Sequence, residues 1–116
     1  MTEQKKPSDE NVIGTWHITD METWDEDYFN TEVQAYIRVE DGGTGDFQFG
    51  LVSGSLDGEM EETDSDPRFH FTWEGRGEMD PVSGRGGLRA VSGEEAEGKI
   101  VIHQGDRSSF SAQRAP

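Results

Sequence analysis

"RFHFTWE", residues 68–74, places a large ring at every second position: Phe69, Phe71 and Trp73, with Arg68, His70, Thr72 and Glu74 between them. A strict period of two marks a strand with one face buried and the other in water. A helix would spread the same rings around its whole circumference. The stretch therefore reads as a strand with its aromatic side turned inward.

The pattern recurs on both sides. In "VIGTWHIT" (12–19), Gly14, Trp16 and Ile18 share a face. "EVQAYIRVE" (32–40) puts Val33, Ala35, Ile37 and Val39 on one face, against Gln34, Tyr36 and Arg38 on the other. "DFQFGLVSG" (46–54) keeps Phe47, Phe49 and Leu51 in step. Gly50 and Gly54 suggest a bulge or tight bend there, after which Leu56 and Met60 continue in the opposite parity. "GLRAVSG" (87–93), "GKIVIHQG" (98–105) and "SSFSAQR" (108–114) complete seven or eight strands, with turn chemistry in "DGGTG" (41–45) and "ETDSDP" (62–67). The expectation is an all-β, antiparallel, meander-like barrel or barrel-like sandwich. It spans 12–116 as one domain, behind a disordered tail over 1–11.

One segment breaks the rhythm. In "METWDEDYFNTE", Met21, Trp24 and Tyr28 stand at helical spacing. Thr23 and Glu26 have capping-box spacing, and Asp25, Glu26 and Asp27 suit a first turn. A short helix over about 24–30 is expected after the first strand.

Composition narrows the function. Ten basic against 25 acidic residues give a net charge of −15, which opposes direct binding to nucleic acid or to an anionic membrane. The mean hydropathy of −0.85 approaches that of disordered chains, but three tryptophans, two tyrosines and six phenylalanines in alternating order argue for a packed core. There is no cysteine, hence no disulfide and no thiolate metal site. The two lysines near the start have no apolar run behind them, and no stretch matches a membrane helix. These signs lead us to expect a soluble cytoplasmic protein.

Gly14-Thr15-Trp16 on the first strand resembles the G-x-W motif of lipocalin and related calycin barrels, and a helix directly after that strand resembles the lid of intracellular fatty-acid-binding proteins. Across 13–114, "GTWHI", "GDFQFG", "FTWEG", "DPVSGRG" and "IHQGDRSSF" resemble a family of small bacterial β-proteins with no established activity. The second resemblance implies a compact β-domain. The first implies a carrier of a small apolar ligand.

The candidate sites follow from these elements. Trp16, Phe47, Phe49, Phe69, Phe71 and Trp73 could line a cavity for such a ligand, although large rings on most strands of a narrow barrel favour a filled core. His17, His70 and His103 fall on strands that a meander keeps apart, so neither a metal nor a cofactor is expected. "WEGRGEMDPVSGRGG" (73–87) reads as a long hairpin loop, with Asp80-Pro81 opening a turn and Ser83-Gly84 ending it. Its Glu74, Glu78 and Asp80, beside Arg76 and Arg85, include no His, Cys or Lys to act as base or nucleophile, and the chain reads as a non-enzyme. The acid clusters over 20–32 and 57–66 keep the protein soluble, or imitate nucleic-acid phosphates in a basic groove of another protein. The reading preferred here is a binding or protein-interaction module. Its partner would be a protein, a basic one where charge decides, docking on Trp24, Asp25, Glu26, Asp27 and Tyr28.

Overall fold

The computed structural model describes residues 12–61 and 68–116. Eight strands run up and down in chain order: β1 (Gly14–Met21), β2 (Tyr36–Val39), β3 (Thr44–Phe49), β4 (Val52–Glu61), β5 (Arg68–Gly77), β6 (Asp80–Ala90), β7 (Glu95–Ile102) and β8 (Arg107–Arg114). Each pairs antiparallel with the next, and β8 returns to β1, so the sheet closes into a barrel. One short helix, α1 (Glu26–Phe29), follows β1. The expected all-β meander barrel, with its helix after the first strand, is the observed fold. The tail over 1–11 and the turn over 62–67 lie outside the described residues.

The closing seam carries a bulge between Ile18 and Asp20, which shifts the register of β1 against β8. An extra residue on one strand reverses its parity. Ile18 and Met21, three apart, therefore both point inward and are buried. At the same seam Arg114 lies over the Trp16 ring, 4.2 Å from its centroid, and donates to the Ile13 carbonyl at 2.8 Å.

Inward glycines of β6 make room for the rings of the neighbouring strand β5. A Cβ on Gly86 would stand 2.7 Å from the Phe71 ring and 2.5 Å from the Lys99 carbonyl, and one on Gly84 would stand 3.0 Å from Trp73 Nε1. Pairing missing side chains with large rings is how a small barrel fills its interior. The two ends are also occupied. Val12 is buried at one end, where its carbonyl accepts from Trp16 Nε1 at 3.0 Å, and Phe29 of α1 is buried at the other.

Four local expectations are corrected. Residues 46–54 are not one bulged strand: Phe49 pairs with Val52, so Gly50 and Leu51 form a two-residue hairpin turn. Gly50 has φ of +57°, the left-handed region open to glycine. The parity change before Leu56 is thus a reversal of chain direction. Second, 73–87 is not a loop. β5 continues to Gly77, β6 begins at Asp80, and only Glu78 and Met79 turn, with Glu78 at φ +58°. Third, the helix covers only Glu26–Phe29, with Asp25 at its N-cap position. Thr23 does not cap it, because its hydroxyl donates to the Arg107 carbonyl at 2.6 Å. Fourth, Val33 precedes β2 and is 45% exposed rather than inward.

Candidate functional site

Trp16, Phe47, Phe49, Phe69, Phe71 and Trp73 are all buried and belong to one core cluster. Five of them lie in ring–ring contact. Phe47 stacks on Phe49 at 5.9 Å and meets Trp73 edge-on at 4.9 Å, while Phe69 and Phe71 lie 5.8 Å apart. These separations are those of packed aromatic pairs. All six rings are part of the buried core.

The helix-capped end is different. Trp24 packs on Phe49 at 5.0 Å and stacks with Tyr28 at 6.1 Å, so the two rings form a lid over the core. Tyr28 is fixed further by its hydroxyl, which accepts from Leu51 N at 3.3 Å, and by Gly50, whose bare Cα lies under the ring. Phe29 turns beneath the lid, while Trp24 and Tyr28 stay half-exposed. Asp25, Glu26 and Asp27 are exposed around them. The neighbouring hairpin adjoins this rim, because Glu78 N donates to the Leu51 carbonyl at 3.0 Å. At its tip Met79 is 85% exposed, beside Glu78 and Asp80. The sequence reading missed Met79 because it sat inside an assumed loop. A large apolar residue at a two-residue turn is the signal once the hairpin is recognised.

The other candidates stay apart. His17 is on β1, His70 on β5 and His103 follows β7, and among the described residues no three potential metal ligands come together. Glu74 faces Ser83 across the β5–β6 ladder, Asp80 faces Gly77, and Glu78 sits at the turn, all three exposed. On the outside of β2 and β3, Asp46 accepts from Tyr36 Oη at 2.5 Å and from Arg38 Nε at 2.8 Å. The hydrogen bond to Asp46, helped by partial burial, pushes the Tyr36 phenol up to about 12.

A second surface was not foreseen. Register places Arg68, His70, Arg85, Arg89, Lys99 and Arg107 on the outer faces of β5 to β8. Each base alternates with inward residues on its own strand, but only the strand pairing shows that the bases are neighbours. No family model, curated protein or solved structure matches the chain.

Proposed function

We propose that the chain is a non-enzymatic binding module that docks a basic partner protein on the helix-capped end of its barrel. The carrying observation is the half-exposed pair Trp24 and Tyr28, set among the exposed carboxylates of Asp25, Glu26 and Asp27, with exposed Met79 alongside. Rigid aromatic side chains cost little conformational entropy to immobilise, and apolar anchors inside a polar rim are the usual construction of a binding hot spot. Gly50 and the Leu51 amide preorganise Tyr28. The carboxylates favour a cationic partner, and attraction of this kind weakens as salt shortens the Debye length from about 10 Å at 0.1 M to about 3 Å at 1 M.

The test combines a charge variant, Asp25→Asn/Glu26→Gln/Asp27→Asn, with an anchor variant, Met79→Ser. Both are probed with a Lys- and Leu-rich amphipathic peptide by isothermal calorimetry and with partners captured from a lysate. Salt-sensitive binding that falls in both variants is expected. Equal binding by wild type and both variants, at low and high salt, removes this surface as the site.

A further inference from the structure

The outer face of β5–β7 carries a notch centred on Gly87. Cross-strand pairing sets His70 on one side of Gly87 and Lys99 on the other, and Arg85 and Arg89 stand two residues away along β6. Every nearest outward neighbour of Gly87 is thus a basic side chain. This happens in a chain whose net charge is −15.

Folding does not demand the glycine. A Cβ there would meet nothing nearer than the Phe69 carbonyl at 3.5 Å and His70 Nδ1 at 3.9 Å, unlike the crowded inward glycines. A strand glycine without a packing reason marks a place where something else approaches the backbone. The space above it is a groove of about 310 Å³, which also reaches Val101, an outward apolar residue outside the core cluster. Two carboxylates face the basic cluster: Glu97, which lines the groove itself, pairs with Arg89, and Glu61 lies 2.9 Å from His70. Among the described residues Arg85 and Lys99 have no such partner.

We propose that this notch binds a small phosphate-bearing ligand, whose dianion sits over Gly87 among Arg85, Arg89 and Lys99. Donors from three strand positions that line one groove match the several oxygens of a phosphate, whereas one Arg fork already satisfies a carboxylate. The acidic remainder of the surface repels a long nucleic acid, so the ligand is small. This site is on the barrel wall and does not depend on the docking surface at the helix end.

The test is a ¹⁵N–¹H NMR titration of the full chain with inorganic phosphate and with phenyl phosphate at low ionic strength. Two variants accompany it: Gly87→Val fills the notch without changing charge, and Arg85→Gln/Lys99→Gln removes charge while leaving the notch. Saturable shifts centred on residues 85–89 and 99 are expected, weakened about tenfold or more in each variant. Tighter binding of phenyl phosphate identifies an ester ligand, and equal affinity identifies phosphate itself. Shifts that do not saturate for either probe, or that centre elsewhere, overturn the proposal. So does unchanged affinity in either variant, or a single-stranded oligonucleotide that binds more tightly than phenyl phosphate.

Discussion

Replacing Gly50 with alanine tests how the helix lid is held. The residue has φ of +57°, and a methyl group on it would overlap the Tyr28 ring. Two costs follow. The left-handed conformation costs a non-glycine residue about 1–2 kcal/mol. Pushing the ring aside adds about 1–3 kcal/mol of overpacking, and the displaced Tyr28 also releases the Leu51 amide and its stack on Trp24. Gly50→Ala should therefore destabilise the protein by about 3 kcal/mol, or roughly 10 °C in melting temperature for a domain of this size. Urea unfolding of the wild type, Gly50→Ala, Tyr28→Ala and the double variant separates the two costs. With the ring absent only the backbone cost of Gly50→Ala remains, so the double variant should fall short of additivity by about 1–3 kcal/mol. Strict additivity would refute the contact between Gly50 and the lid.

Three further outcomes are expected. Gly86→Ala, driven against Phe71 and the Lys99 carbonyl, should cost about 2–4 kcal/mol, whereas neighbouring Gly87→Ala should stay within about 0.5 kcal/mol, both read by urea unfolding. In a Tyr28→Phe variant the remaining phenol, Tyr36, should ionise near 12 by ultraviolet titration, and Asp46→Asn should lower that value. Because the folded state keeps the Tyr36 proton above the ordinary tyrosine value of 10.0, its contribution is complete below pH 10 and is lost as pH rises toward about 12. Acrylamide should quench a single class of tryptophan, abolished by Trp24→Phe, since Trp16 and Trp73 are only 0% and 4% exposed.

Most of the barrel is legible because one face of each strand is apolar. Phe69, Phe71 and Trp73 announce β5, as Phe47 and Phe49 announce β3. β6 is silent for a physical reason: its inward positions include Gly84 and Gly86, which carry no side chain because rings from β5 fill their places. Pro81 strengthens the impression of a loop, since proline removes a ladder donor. It stands beyond the reach of β7, whose ladder with β6 starts at Gly84 and whose following residue His103 donates to the Ser83 carbonyl at 2.8 Å. The β5–β6 turn hides as well, because Glu78 takes a positive φ where a glycine would have been the cue. Of Met21, Trp24 and Tyr28 only Tyr28 lies on the helix: Trp24 precedes it and reaches Tyr28 by stacking, while the β1 bulge delivers Met21 to the core from a strand. Composition located the acidic rim. The basic notch needed the pairing of three strands, which no single strand encodes.

The central claim is that binding happens on the outside of a filled barrel, and emission from the two core tryptophans tests it most directly. In a Trp24→Phe variant only Trp16 and Trp73 report, both in the core cluster. Titration with fatty acids, retinoids and a hydrophobic dye should leave their emission flat. A saturable change with any of them would show that the lumen admits a ligand, and would contradict the account.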